Sequence, residues 1–250
     1  MERLFVGMPR IAAASAVAVA LIGANAALAF SSSDYSLLGD ATYAAGNASP
    51  RSVQLVSDTD PGYGAVDYHV ASGTTFAELE ALSTDYRFEA DDSCAGGAPR
   101  FSMGLSDQDS GDSGNIFVYL GDAPNYTNCP AGVWTNSGDL LGSEPLDTTQ
   151  LDGGTFYDSY ADALAKYGSY EVTSLQLVTD AGWAAQDGEQ TVSIDNTKIN
   201  DTLYTYEIPV ATDKEQCKNG GYKNYTDQNG NSFKNQGQCV SSTVKNAHAH

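Results

Sequence analysis

Hydrophobic and polar residues alternate over many short stretches of this chain, and each such stretch predicts a β-strand. The two clearest are Val172–Thr179, rich in β-branched residues and leucine, and Gln190–Asn200, in which valine and isoleucine alternate with serine and aspartate. The acidic, glycine-bearing segment Asp180–Glu189 between them predicts a hairpin loop or a strand-end loop. Further predicted strands are Ser52–Ser57, Ala65–Val70, Thr84–Ala90, Arg100–Leu105, Asn115–Leu120 and Thr202–Ile208.

Two segments have helical spacing instead. A stripe at i, i+3, i+4 and i+7 predicts one amphipathic helix that ends in a left-handed C-cap at Gly168. Its members are Tyr157, Tyr160, Ala161, Leu164 and Tyr167. Earlier in the chain, Thr75 and Glu78 have the spacing of a capping box, which predicts one or two helical turns that bury Phe76, Leu79 and Leu82.

Short strands, frequent turn signals and little helix predict an all-β fold, an antiparallel β-sandwich of about eight to ten strands with one or two short helices. Residues 121–155 are dense in Gly, Asn, Asp and Pro and predict a long loop region. Trp183, directly after a predicted strand, is expected to cap the core.

Residues 1–29 predict a cleaved signal peptide rather than part of the fold. Arg3 and Arg10 make the start basic, Ile11–Ile22 is an apolar run rich in alanine, and Ala27-Leu28-Ala29 is a small-x-small cleavage site. No later segment approaches the roughly 20 apolar residues that a membrane span needs. We therefore expect a secreted or cell-surface protein that is not an integral membrane protein after cleavage, with an uncleaved N-terminal anchor as the alternative.

The chain is strongly acidic, with a formal net charge of −20 from 32 acidic and 12 basic residues. Residues 213–250 are different, because lysines outnumber acids there. This change in composition predicts a boundary between a main domain at 30–212 and a small C-terminal element at 213–250. The negative field argues against nucleic acid as a partner and is compatible with cations and neutral polysaccharides. The alternative is that the acidic surface only keeps the protein soluble.

Four cysteines, Cys94, Cys129, Cys217 and Cys239, fall two in each segment. An even number in an exported chain predicts disulfides, and pairing within each segment is favoured among the three possible connectivities. A zinc site is disfavoured because no C-x-x-C pair occurs and the histidines are distant in sequence.

The stretch Tyr157–Asn200 resembles the last third of jelly-roll domains, the concanavalin-like and carbohydrate-binding-module folds of secreted bacterial proteins. The resemblance rests on a short helix, an L-x-L-V-x-D-x-G-W strand and a V-x-I-D-N strand. It implies a jelly-roll sandwich that binds a polysaccharide or another surface glycan. In such modules the aspartate of the last long strand often holds a structural calcium ion, and here that residue would be Asp195.

The C-terminal element is similar to one that recurs at the end of exported bacterial proteins with quite different main domains. The matching motifs are CKNGGY at 217–222 and FKNQGQCV at 233–240, with Tyr222 where tryptophan is usual. The resemblance implies no activity. Since the element is too small to hold a core alone, we expect it to depend on a disulfide.

Glycan binding needs a flat, exposed ring beside amides or carboxylates that bond sugar hydroxyls. The sequence places four candidate rings, Tyr63, Tyr126, Trp134 and Trp183, in or beside glycine-rich loops. Trp134 is the favoured platform, whereas Trp183 is expected to cap the core instead. The candidate ligand-binding residues are Tyr63, Tyr126, Trp134, Asn136 and Asp139.

Calcium is the ion that the sequence favours, because the loop DQDSGDSGN at 107–115 is rich in oxygen donors. The candidate ligands there are Asp107, Asp109, Asp112 and Asn115, with Asp195 added by the resemblance. The spacing departs from an EF-hand, and a solvated loop is the alternative.

Catalytic motifs are weak. The nearest match to the E-x-D-x-x-E strand of concanavalin-like glucanases begins at Glu89 and lacks the final glutamate, and no G-x-S-x-G elbow is present. We therefore expect a non-catalytic module, with a glycoside hydrolase or lyase of the same fold and a purely structural envelope protein as alternatives.

Overall fold

The chain folds into two antiparallel β-sheets that share one core. A computed structural model describes residues 34–47, 49–58, 62–185, 188–228 and 231–247. The predicted signal peptide lies outside the described residues. Numbered along the chain, the strands of the first sheet are, in spatial order, β1 (Tyr35–Gly39), β4 (Gly64–Tyr68), β9 (Glu171–Thr179), β6 (Arg100–Ser106) and β7 (Ser113–Tyr119).

The second sheet contains the remaining described strands. In spatial order they are β2 (Ala41–Ala44), β3 (Ser52–Ser57), β10 (Gln190–Ile199), β5 (Leu82–Phe88) and β8 (Thr135–Asn136), and β11 (Thr202–Tyr204) also pairs with β10. The predicted β-sandwich is confirmed. β9 and β10 lie in different sheets, so the hairpin alternative for the segment between them is wrong and the strand-end loop is correct.

The core lies between the two sheets and follows the alternation of the strands. Leu175 and Leu177 of β9 and Val192 and Ile194 of β10 are fully buried. Burial of each such side chain stabilises the fold by roughly 1.5–3 kcal/mol. The side chains between them point to the outer faces of the sheets. On β9 the intervening Gln176 is partly exposed, whereas on β10 the intervening Ser193 is itself covered by other parts of the chain.

Short helical segments close the loops. They are α1 (Leu140–Ser143), α2 (Tyr160–Tyr167), α3 (Gln236–Ala247) and the 3₁₀ segments Phe76–Glu78, Gly182–Ala184 and Lys214–Asn224. The capping box is confirmed, because the Thr75 N–H donates to Glu78 Oε2 at 2.7 Å. The three residues predicted to be buried beside it are fully buried.

Helix α2 is confirmed, with two corrections. It begins at Tyr160, capped by Ser159, and Tyr157 lies before it and is 54% exposed. Gly168 is not left-handed, since its φ is −56°. Its carbonyl instead accepts the Ala77 N–H at 2.9 Å, and a Cβ at 168 would lie 2.6 Å from the Leu164 carbonyl oxygen. Glycine is needed here for close approach.

Both predicted disulfides are confirmed, Cys94–Cys129 in the sandwich and Cys217–Cys239 in the C-terminal element. The element has a small core of its own around the second disulfide, with Ala211 and Phe233. Residues just before it already pair with it: the Ala211 N–H donates to the Thr226 carbonyl at 3.0 Å. The boundary at residue 212 stays a prediction.

Across the described segments, no helix combines the length and the apolar character that a membrane crossing needs.

Candidate functional site

The outer face of the five-stranded sheet carries a row of neighbouring side chains across four strands, polar on three of them and aromatic on the fourth. The register places Asp67 of β4 beside Gln176 of β9, Gln176 beside Ser102 of β6, and Ser102 beside Phe117 of β7. The Gln176 amide donates to Asp67 Oδ1 at 2.9 Å. None of these residues is fully buried, whereas the residues that alternate with them form the core.

Arg100 lies in the next row of the same face and is held rigidly. Its guanidinium forms a bidentate salt bridge with Asp180, with both N–O distances 2.6 Å. It also donates to the Gly97 carbonyl at 3.1 Å and lies 4.9 Å from the centroid of the Phe117 ring. Because the charge of Arg100 is neutralised by Asp180, this part of the face presents polar groups without a free cation.

An aromatic cluster borders this face beyond β7. The ring of Tyr119 lies 4.1 Å from that of Tyr126 and 6.2 Å from that of Phe156, and Phe156 contacts Tyr157. Phe156 and Tyr157 are 41% and 54% exposed. The cluster therefore offers two accessible rings on a base of packed tyrosines.

The two inner tyrosines of the cluster are structural. Burial raises the pKa of Tyr119, whose hydroxyl donates to Asp147 Oδ2 at 2.8 Å, and the hydrogen bond acts in the same direction. Burial likewise raises the pKa of Tyr126 to about 12. Tyr126 is only 4% exposed. The loop that carries it folds back onto Tyr119, so its ring is packed rather than exposed. Ligand binding by Tyr126 stays a prediction.

Trp183 stands at the rim of the same face. It is 77% exposed in the 3₁₀ turn after β9, so the expectation that it caps the core is wrong. A Cβ at Gly96 would lie 3.2 Å from Trp183 Cζ2, and a Cβ at Gly97 would lie 2.9 Å from Tyr119 Cε1. The Gly96–Gly97 turn therefore lies between the exposed tryptophan and the aromatic cluster and joins them into one surface.

The predicted residues around Trp134 lie elsewhere, at the β8 edge of the six-stranded sheet. Trp134 is partly buried, and the Arg87 guanidinium lies 5.4 Å from its ring centroid. The Asn136 amide donates to Asp85 Oδ1 at 2.7 Å, and Asp139 Oδ1 accepts the Leu82 N–H at 3.2 Å. The polar partners predicted for a sugar thus hold β8 and α1 against β5. Sugar binding at Trp134 stays a prediction.

Tyr63 is 38% exposed and precedes β4. Its carbonyl accepts the Asp40 N–H at 2.9 Å. The structure therefore does not bring Tyr63, Tyr126 and Trp134 into one site.

The acidic loop at 107–115 is closed by its own hydrogen bonds. Asp107 accepts from the Asp109 and Ser110 N–H groups and from the Ser110 hydroxyl, which hold its pKa below the ordinary value. Asp112 Oδ2 accepts the Tyr170 hydroxyl at 3.1 Å, and the Asn115 amide donates to Gln150. Within the described residues, no group of three or more His, Cys, Asp and Glu side chains is arranged to hold a metal ion.

Asp195 is fully buried on β10 and serves as an anchor for the loop before β3. Its Oδ2 accepts the Asn47 N–H and the Ser49 hydroxyl, both at 2.8 Å, and its Oδ1 accepts the Asn196 N–H. Burial raises its pKa, with a contribution from Asp85 beside it. These donors occupy both carboxylate oxygens that a calcium ion would need, so the geometry does not fit the implied site. Calcium binding by the chain stays a prediction.

Comparison with known proteins finds only distant likeness. No family model and no curated protein sequence matches the chain. Among solved structures, it is similar to a family 11 carbohydrate-binding module from Clostridium thermocellum in complex with a β-1,3-1,4-mixed-linked tetrasaccharide, at 12% identity and a TM-score of 0.37 over 68% of this chain and 91% of that one. It is also similar to an exo-β-agarase, at 15% identity and a TM-score of 0.31 over 72% of this chain and 25% of that one.

Proposed function

We propose that the protein is an exported, non-catalytic glycan-binding module whose ligand lies across the outer face of the five-stranded sheet. The observation that carries the proposal is Trp183, 77% exposed at the rim of a polar face. A large, solvent-exposed aromatic ring can stack against the C–H face of a sugar.

The rest of the face supplies what a sugar needs after stacking. Gln176, Asp67 and Ser102 offer amide, carboxylate and hydroxyl groups to sugar hydroxyls, in one row fixed by strand register. Phe156 and Tyr157 provide further exposed rings. Because Arg100 is already paired with Asp180, the face favours a neutral polysaccharide over an acidic one.

The test is retention of the full chain in native affinity gels that contain neutral polysaccharides: mixed-linkage β-glucan, xylan, galactomannan and agarose. Trp183→Ala is expected to weaken binding tenfold to a hundredfold, since a stacked ring contributes on the order of 1–3 kcal/mol by analogy with bases on aromatic side chains. Its melting temperature should stay close to that of the parent protein, because the side chain is exposed.

Trp134→Ala is the matched control at the other sheet edge and is expected to leave retention unchanged. If Trp134→Ala removes binding and Trp183→Ala does not, the ligand lies at the six-stranded sheet and the proposed face is wrong. If no polysaccharide retains the parent protein, the glycan-binding proposal fails.

A further inference from the structure

A cavity lies where the sandwich meets the C-terminal element. It is a cleft of about 530 Å³, formed by Tyr43 and Arg51 of the sandwich, Glu207 of the linker, and Lys223–Tyr225 of the element. Small-molecule sites have volumes of roughly 300–1,000 Å³. The cleft is therefore large enough to be a binding site, and it shares no residue with the sheet face described above.

Arg51 gives the cleft a cation that forms no ion pair with any described carboxylate. Its guanidinium lies 3.5 Å from the centroid of the Tyr43 ring, and its backbone N–H donates to Glu207 Oε1 at 2.8 Å. Within the described residues the guanidinium forms no salt bridge, in contrast to Arg100 with its bidentate partner. The stacking on Tyr43 orients the guanidinium while its N–H groups stay available.

Lys223 brings a second cation to the cleft from the C-terminal element. It is exposed and also forms no salt bridge with another described residue. Two cations thus line the cleft against the single carboxylate of Glu207, in a chain whose net charge is −20. Such a local excess of positive charge on an acidic protein selects for an anionic ligand group.

The remaining lining favours a ring with hydroxyls. Tyr43 is 48% exposed, and its hydroxyl lies 3.2 Å from that of Tyr35. Tyr225 lines the cleft from the C-terminal element, and Asn224 places an exposed amide beside it. Aromatic faces together with amide and carboxylate groups suit a sugar ring, whereas a bare inorganic anion would use only the cations.

We propose that this cleft binds a sugar residue that carries a carboxylate, a uronic acid. Arg51 and Lys223 bind the carboxylate, Tyr43 and Tyr225 contact the ring, and Asn224 and Glu207 bind hydroxyls. The site needs both the sandwich and the C-terminal element. The proposal does not depend on the sheet face binding a glycan.

The experiment is isothermal titration of the full chain with trisaccharides of galacturonate and of mannuronate, each also in its methyl-esterified form. Esterification removes the charge and keeps the ring. We expect at least one of the acids to bind and its ester to bind at least tenfold more weakly. Binding of neither acid, or equal binding of acid and ester, overturns the proposal.

Charge-removing variants then locate the site. Arg51→Gln and Lys223→Gln should each weaken binding of the acid, Arg51→Gln by about tenfold or more. Lys223 is exposed, so its variant also tests the site without a risk to folding. The control Lys234→Gln removes an exposed lysine of the same element outside the cleft lining and should have no effect. Trp183→Ala should also leave uronate binding intact, which separates the two sites. Unchanged binding in both cleft variants overturns the proposal.

Discussion

At the scale of single residues, Asp158 is a buried carboxylate with three side-chain partners. It accepts the Thr148 hydroxyl at 2.6 Å, the Thr155 hydroxyl at 2.8 Å and the Lys166 ammonium at 2.8 Å. Burial alone would raise its pKa, but the hydrogen bonds from Lys166 and the two threonines outweigh it and hold the pKa below the ordinary 3.8. The carboxylate joins the loop before α2 to the helix itself.

Asp158→Asn is expected to lower the free energy of unfolding by roughly 1.5–3 kcal/mol at neutral pH, the range for hydrogen bonds to a charged group. A lowered pKa means that the ionised group stabilises the fold above pH 3.8 and loses this effect as the pH falls through the folded-state pKa. The difference between variant and parent should therefore shrink in acid. Urea denaturation at pH 7 and pH 3 measures it.

Asp152→Asn, an exposed carboxylate in the same loop, is the control and should change stability by less than about 0.5 kcal/mol. A deficit for Asp158→Asn that grows in acid would contradict the network described here.

At the scale of elements, the loop between β5 and β6 is tied down from two sides. Cys94 is bonded to Cys129, and the Ser93 hydroxyl donates to the Cys129 carbonyl at 2.8 Å. The Gln190 amide of β10 donates to the carbonyls of Ser93 and Ala98. This loop carries the Gly96–Gly97 turn, so the same contacts hold the turn against Trp183.

Replacing Cys94 and Cys129 together by serine should lower the free energy of unfolding of the sandwich by roughly 3–4 kcal/mol, since the bond closes a loop of 35 residues in the unfolded chain. Urea denaturation followed by tryptophan fluorescence measures the change, because both tryptophans lie in the main domain.

The matched control replaces Cys217 and Cys239 by serine. This change removes the disulfide of the smaller core and should leave the unfolding transition of the sandwich, followed by tryptophan fluorescence, unchanged. A loss below about 1 kcal/mol for the first pair, or an equal loss for both pairs, would contradict the assignment of each bond to its own core.

At the scale of the whole molecule, two separate cores share one chain. The large core lies between the sheets, and the small one surrounds the Cys217–Cys239 bond. The segment after β11 pairs with the small unit, since the Thr226 N–H donates to the Pro209 carbonyl at 3.0 Å. The cleft around Arg51 lies between the two units.

Truncation after Thr212 is expected to leave a sandwich that unfolds cooperatively, with a melting temperature within a few degrees of the parent, because the large core loses no member. Differential scanning calorimetry measures this. Retention on neutral polysaccharides should persist in the truncated chain. A broad, non-cooperative transition would show that the sandwich depends on the C-terminal element and that the boundary is misplaced.

Strand alternation alone determined much of this fold. It predicted β9 and β10 nearly to the residue, and it made Leu175 and Val192 core residues, because a strand with one buried face must alternate. The capping box at Thr75 and both disulfides were also predicted, since these features depend on short spacing or on the pairing of cysteines within one segment.

Only the tertiary structure decided which sheet each strand joins and which loop side chains are exposed to solvent. Period-two alternation has the same form in either sheet, so the pattern could not show that β9 and β10 belong to different sheets. Arg100 and Asp180 are 80 residues apart. Trp183 and Tyr126 lie in irregular loops, where burial depends on what packs above the ring, so the strand pattern could not show that Trp183 is exposed and Tyr126 buried. The alternation of β9 already placed Gln176 on the outer face, but its contact with Asp67 required the neighbouring strand. Local spacing therefore determined the elements of this protein, and long-range packing determined its surface.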